Sequence, residues 1–290
     1  MPSRSRRARK RPRSSSTGPW PRRRRKFSAV FVGPARPGLR PVPAPSPRRR
    51  KLTVSAVIVA AGQGRRLGQD GPVPPKALLE VDGHTLVELS LTALRAVPAI
   101  NEIVVVHPPD AAAAFRRAVG EEVALVAGGP SRSSSVRAGV RAAASAAGAI
   151  AIHDGARPLV PPAVVARVLE AVTGGAIAAA PGLPVADTLK RVGSDGAVVE
   201  TVDRGGLWGV HTPQVIRRDV LDATLRWAHG RDTTDDLGLV EEARAAGVVS
   251  GRIVLVRGDA RDLKITFPED LALAAAIVRG SRPTTSGHSR

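Results

Sequence analysis

The chain has 290 residues, a formal charge of +19, no cysteine and only 2% aromatic residues. Without cysteine it can form no disulfide, thiolate metal site or thiol nucleophile, and the scarcity of aromatics argues against a base-stacking platform for single-stranded nucleic acid. No apolar run is long enough to span a bilayer, so the composition reads as a soluble, cytoplasmic protein with no membrane partner.

The charge is confined to one end. Residues 1–51 hold 18 of the 44 Lys and Arg and no Asp or Glu, which leaves 26 basic against 25 acidic residues in the remainder. The body is nearly neutral, and the high charge argues for no nucleic-acid partner except through this basic tail. Rich in Arg, Pro and Ser, the segment lacks the apolar surface that offsets chain entropy and is expected to be disordered, as are residues 281–290. Arg24-Arg25-Lys26-Phe27 resembles the start of a twin-arginine export signal. The apolar run Ser28 to Gly33 is too short for one, and Pro34, Arg36 and Pro37 interrupt it. A chain starting near Leu52 is therefore expected to keep full activity.

Val54–Val59 is a buried strand by its β-branched run. It leads into Ala60-Ala61-Gly62-Gln63-Gly64-Arg65-Arg66-Leu67-Gly68, and Pro75-Lys76 follows. Glycines let backbone N–H groups close around phosphate oxygens, and the two arginines and Lys76 would neutralise a polyphosphate. The loop is not a dinucleotide fingerprint, since Leu67 stands where the third glycine belongs, and not a P-loop, since no Gly-Lys-Ser/Thr follows. A nucleoside triphosphate is the expected ligand.

Strands and helices then alternate. The pattern predicts helices at Leu86–Ala96, Ala111–Val119, Ser133–Ala147 and Pro162–Val172, the third capped by serines and the fourth opened by prolines. Strands are predicted at Ile103–Val106, Val123–Ala127, Ala149–His153 and Ala176–Ala180. Apolar strands between amphipathic helices imply an α/β fold with a mostly parallel sheet covered on both faces.

From Pro181 to about Val215 the helical period disappears. Thr188–Val192 and Ala197–Val202, around Gly193-Ser194-Asp195-Gly196, read as a protruding β-hairpin arm within about residues 183–212. An isolated hairpin is marginal in water, so a second subunit is its natural support. Afterwards come helices at Arg218–Ala228 and beyond Thr233-Thr234-Asp235-Asp236, a strand at Ile253–Val256, and a last helix with a Thr266–Glu269 capping box. Residues 52–280 thus form one domain.

Ligands of open parallel sheets sit beyond the carboxyl ends of the strands. Four polar clusters fall there: the glycine loop, Gly128-Gly129 with Arg132 and Ser135, His153-Asp154-Gly155-Ala156-Arg157-Pro158, and Arg261-Asp262-Leu263-Lys264. Cations with one well-placed carboxylate, Asp154, suit phosphate chemistry that works by positioning and charge stabilisation. His153, His211 and His229 show no metal-ligand spacing and read as satisfied histidines; Trp208 and Trp227 read as core or interface anchors.

With these residues assembled, the chain resembles the 2-C-methyl-D-erythritol 4-phosphate cytidylyltransferases over about residues 54–279. The matching stretches are Ala60-Ala61-Gly62-x-Gly64-x-Arg66, Pro75-Lys76, Gly128-Gly129 with Arg132 and Ser135-Val136, and His153-Asp154-x-Ala156-Arg157-Pro158. More specific are Asp187-Thr188-x-Lys190, Asp203-Arg204 through Trp208, Thr212-Pro213-Gln214, Thr234-Asp235-Asp236 and Lys264-Ile265-Thr266. The resemblance implies a Rossmann-like fold and transfer of CMP from CTP to methylerythritol phosphate, with Mg²⁺ bridging the CTP phosphates. It implies that Ala60, Ala61, Gly62, Gly64, Lys76, Gly129 and Ser135 hold CTP, while Arg66 and Lys76 stabilise the reacting α-phosphate. Asp154, Arg157, Thr188, Arg204, Thr212 and Lys264 would hold the acceptor, Arg204 and Lys264 also serving catalysis. It further implies a homodimer in which the arm brings Thr188 and Arg204 to the neighbour's site. Pro130 stands where the family often has an acidic residue, so one cytosine contact must come from elsewhere, and residues between Gly68 and Pro75 look extended. Ribitol-5-phosphate cytidylyltransferases, or other sugar-phosphate nucleotidyltransferases, share the CTP half of this pattern.

Overall fold

A computed structural model describes residues 52–62 and 75–280. Its frame is an eight-stranded sheet. β1 (Val54–Val59), β4 (Ile100–His107), β5 (Ala124–Ala127), β6 (Ala149–Asp154), β7 (Ala178–Pro184) and β12 (Ile253–Arg257) run parallel. β10 (Trp208–Val210) and β11 (Gln214–Arg217) run against them. The order is β5-β4-β1-β6-β11-β7-β12, with β10 continuing beyond β11 along the same edge of β7.

Alternation along each strand divides the core into two layers, because successive side chains leave opposite faces. In β1, Val54, Ala56 and Ile58 join one cluster and Val57 the other. The first is closed by α1 (Leu86–Arg95), α2 (Ala112–Val119) and α4 (Pro162–Thr173), through Leu94, Phe115 and Val168 among others. The second is closed by α3 (Arg132–Ala142), α5 (Arg218–Ala228) and α6 (Asp236–Ala245). α3 lies so close that a Cβ on Gly139 would stand 2.3 Å from Val57 Cγ1. α7 (Pro268–Gly280) packs apart from these, with Val81, Leu86 and Ile265.

The predicted α/β architecture is present, with several local differences. α3 ends at Ala142 rather than Ala147, and its cap is Ser131, whose hydroxyl accepts from Ser134 N–H in a reciprocal box. β4 and β7 are longer than their apolar runs because backbone pairing continues past them, to His107 and Pro184. α7 is not capped by Thr266 with Glu269. Asp270, third in the helix, accepts instead from the Thr266 and Phe267 N–H groups at 2.6 and 2.8 Å. A small hairpin, β2 (Glu80–Val81) with β3 (His84–Thr85), turns on Asp82 and Gly83 at φ 53° and 82°. That is the Asp-Gly turn whose positive φ values suit the hairpin twist.

The arm is a separate two-stranded ribbon, β8 (Leu189–Val192) against β9 (Val198–Val202). It shows solvent three large apolar side chains, Val192, Val198 and Val199, each more than half exposed. Among the described residues, no helix is long and apolar enough to cross a membrane. The predicted tails 1–51 and 281–290 lie outside the described residues.

Candidate active site

Three strand ends meet at the carboxyl edge of the sheet. β1 ends at Val59, paired with Asp154 of β6 and Val106 of β4. The following loop is drawn along both neighbours: Ala60 N–H donates to Val106 O at 2.8 Å, and Gly155 N–H to Val59 O at 3.0 Å. Gly128, just past β5, donates to His107 O at 2.8 Å. A Cβ there would lie 2.5 Å from Ala61 Cβ and 2.8 Å from Ser135 Oγ, and one on Gly129 2.3 Å from Ser134 Oγ. Glycine is required at this seam because the backbones approach too closely for a side chain. Ser135, buried in the first turn of α3, accepts from Gly129 N–H at 3.1 Å.

Ala60, Ala61, Gly129 and Ser135 are thus brought together, and Gly62 follows Ala61 in the chain. Lys76 opens a 3-10 turn, Lys76–Leu78, whose Ala77 is buried in the core beneath α1 and α2. Gly64 and Arg66 lie outside the described residues, as does the stretch from Gly68 to Pro74.

The residues expected to hold the acceptor form a second cluster beside the end of β6. Asp154 and Lys264 pair at 2.7 Å. Main chain brings them together, since Ile265 N–H donates to Ala156 O at 2.8 Å. Burial would raise the Asp154 carboxyl, but the Lys264 ammonium and the Ala156 N–H outweigh it and hold the group below its ordinary value. Asp154 is therefore an anion at neutral pH.

Arg157 sends Nη1 to the Asp262 carbonyl at 2.7 Å, with the Asp262 carboxylate 4.0 Å away. Burial pushes the Arg157 guanidinium down against the pull of Asp262 and Asp154. An arginine so shifted is still a cation. Thr212 is buried, its hydroxyl accepting from Asp154 N–H at 3.1 Å and lying 3.0 Å from His153 Nδ1.

Asp154, Arg157, Thr212 and Lys264 therefore converge, and Thr188 and Arg204 do not. Both are exposed on the arm, where Arg204 donates to the Ala186 carbonyl. His153 is satisfied on both nitrogens, as its sequence context implied.

Three residues have roles that the sequence did not single out. Asp262 looks like a local partner for Arg261, yet Arg261 pairs with Asp259 at 2.8 Å. Asp262, 1% exposed, faces Arg157 and His211 Nδ1 at 3.1 Å instead. Gln214 accepts from Asp236 and Leu237 N–H at 2.9 and 2.8 Å, so it caps α6 from a strand 22 residues upstream. Arg132 pairs with Asp236 at 2.7 Å; burial works against this cation, but the carboxylates of Asp236, Asp154 and Asp235 raise it. Each stood in a stretch the sequence marked, Arg132 after the glycine pair, Gln214 after Thr212-Pro213 and Asp262 in the Arg261–Lys264 cluster, but none showed which partner it meets.

Among the described residues, no group of three or more His, Asp or Glu is placed to hold a metal ion. The edge gathers three cations, Arg132, Arg157 and Lys264, each facing its own carboxylate, Asp236, Asp262 and Asp154, and in each pair the cation is the more exposed partner. The exposed ends of these cations suit anionic substrates.

Comparison with known proteins agrees with this geometry. The family model described as IspD, 2-C-methyl-D-erythritol 4-phosphate cytidylyltransferase, matches residues 54–280. A protein of that name from Frankia casuarinae is 39% identical over 248 residues, 86% of this chain and 88% of its own length. One from Cereibacter sphaeroides is 42% identical over 231 residues, 78% of this chain and 97% of its own. The crystal structure of a 2-C-methyl-D-erythritol 4-phosphate cytidylyltransferase from Thermus thermophilus superposes with a TM-score of 0.64 at 36% identity, covering 79% of this chain and all of that one.

Proposed function

Because the chain belongs to the 2-C-methyl-D-erythritol 4-phosphate cytidylyltransferase family, we propose that its two clusters are the two halves of one site, for CTP and for the acceptor. The enzyme transfers CMP from CTP to 2-C-methyl-D-erythritol 4-phosphate, releasing pyrophosphate, on the route to isoprenoid precursors. The observation that carries the two-part reading is the Asp154–Lys264 pair at 2.7 Å, one residue from the Gly155 N–H bond to the Val59 carbonyl, which ties the end of β6 to the end of β1 where the glycine loop begins.

In this reading the backbone of Ala60 to Gly62 and of Gly129 receives CTP, Ser135 fixing the Gly129 N–H. Lys76 and Arg66 meet the charge that develops on the α-phosphate, the kind of preorganised stabilisation that carries phosphoryl transfer. Gly64 belongs to the same CTP-binding set. Mg²⁺, when bound with CTP, would add charge neutralisation to that supplied by Lys76, Arg66 and the cations of this edge. The acceptor's phosphate oxygen attacks the α-phosphorus, a P–O bond forms, and the bond to the β-phosphate oxygen breaks to release pyrophosphate. Arg157 and Lys264 draw the acceptor anion in; Asp154, ionised, is an acceptor for its hydroxyls, and Thr212 lines the same wall.

The exposed apolar ribbon supports a homodimer in which Thr188 and Arg204 serve the partner's site. Residues 52–280 are the catalytic domain, and activity resides in the cytoplasm; residues 1–51 are dispensable to it, and any nucleic-acid contact belongs to them. The test is pyrophosphate release from CTP and Mg²⁺ with methylerythritol phosphate and, in parallel, with ribitol 5-phosphate. Turnover with the first and little with the second is expected. Preference for ribitol 5-phosphate would overturn the acceptor assignment.

A further inference from the structure

The fully buried His153 stands behind the acceptor residues, and no step above uses it. Its Nε2 lies 3.0 Å from the Arg157 carbonyl and its Nδ1 3.0 Å from Thr212 Oγ1. A carbonyl can only accept, so Nε2 carries the proton. Nδ1 then keeps its lone pair and must receive the Thr212 hydroxyl proton. With its proton committed there, Thr212 Oγ1 turns a lone pair to Asp154 N–H, at 3.1 Å. One tautomer of one imidazole therefore sets the order of the whole chain, from Arg157 C=O through His153 and Thr212 to Asp154 N–H.

We propose that His153, locked as the neutral Nε2–H tautomer, is a positioning residue that holds Arg157, Thr212 and Asp154 in register for the acceptor. It touches no substrate and acts through these three. The inference rests on the acceptor assignment of the previous subsection.

A protonated ring would present N–H at Nδ1 as well, and the Thr212 hydroxyl would have to reverse. Thr212 Oγ1 would then accept from both Nδ1–H and Asp154 N–H, and its own proton would lose its partner at a buried position. Burial opposes that state by lowering the His153 basicity, against the pull of Asp262 and Asp154. The facing charged groups are Asp154, Asp262 and Arg157, with Lys264 paired to Asp154.

The test combines kinetics with a signature that a merely structural histidine would not give. His153→Phe keeps the ring shape and removes both bonds. It is expected to raise KM for methylerythritol phosphate about tenfold or more, the scale of leaving buried groups without partners, while KM for CTP stays within about twofold. His153→Asn, which can keep the bond to Thr212, and His153→Gln, which can keep the bond to Arg157, should recover part of the loss. Thr212→Val breaks the same chain from its other end and serves if the Phe variant does not fold.

In the wild-type protein, ¹⁵N-resolved NMR should find His153 with its proton on Nε2, unchanged between pH 5 and 8. A proton on Nδ1, titration within that range, or equal rises in both KM values would overturn the proposal. The NMR result stands whether or not methylerythritol phosphate is the acceptor, so failure of the functional assignment and failure of this inference are separable.

Discussion

Gly128→Ala tests the seam within the half of the site proposed for CTP. The new Cβ would lie 2.5 Å from Ala61 Cβ, and 2.8 Å from Ser135 Oγ. Two carbons rest comfortably at about 3.5–4.0 Å, so the backbones must part by about 1 Å. Neither carbon sits on a flexible end, and Gly128 is tied by its N–H to His107 O. Overpacking of this kind costs about 1–3 kcal/mol. In a domain of this size that lowers Tm by roughly 2–12 °C. The displaced segment is the one proposed to cradle CTP, and a misplacement of about 1 Å can cost about 10²-fold in rate. The assay is kcat/KM with CTP varied, alongside thermal melting. A variant with unchanged Tm and kcat/KM within about twofold of wild type would refute the close approach and its role.

Lys76→Ala and Arg66→Ala should lower kcat about 10²- to 10³-fold, as loss of a preorganised charge-stabilising group does, with melting curves that show folded protein. Near-normal rates would remove them from the reaction. An arm exchanged between subunits predicts complementation. Mixing the inactive Arg204→Ala and Lys264→Ala chains under conditions of subunit exchange should restore up to about a quarter of wild-type activity, because half of the dimers then hold one intact site. No recovery, once exchange is demonstrated, would place Arg204 on its own subunit's site. The Asp154–Lys264 pair predicts a pH signature. The folded-state pKa of Asp154 is lowered, so its stabilisation is present above the unfolded carboxyl value, about 3.9, and is lost as pH falls through the folded value. Wild type should therefore out-melt Lys264→Met at pH 7, and the gap should close in acid as the Asp154 carboxyl becomes protonated. A gap that widened in acid would contradict the ion pair.

The parts of this molecule written in local pattern were readable from sequence. The apolar runs of β1 and β6, the serines before α3 and Asp235 before α6 each act within a few residues of themselves. The glycine pair at 128 and 129 was readable as a site but not as a steric seam, because Ala61 is distant in sequence. β11 was not readable. Gln214–Arg217 is four residues long, follows a proline, and inserts antiparallel between two parallel strands. Gln214 looked like part of an acceptor motif, yet its amide holds the start of α6. Asp262 misled for the same reason: its sequence neighbour Arg261 turns to Asp259, and its partners come from β6's loop and from the residue before Thr212. Charge pairing follows the fold, and the sequence shows only what lies nearby.

The central claim is that an oxygen of the acceptor's phosphate attacks the α-phosphorus of CTP. Methylerythritol phosphate carrying ¹⁸O in its phosphate tests this directly, with products followed by ³¹P NMR and mass spectrometry. The account predicts label in the new phosphoanhydride bridge and unlabelled pyrophosphate. Label in pyrophosphate, or a product joined through a hydroxyl of the acceptor, would contradict it.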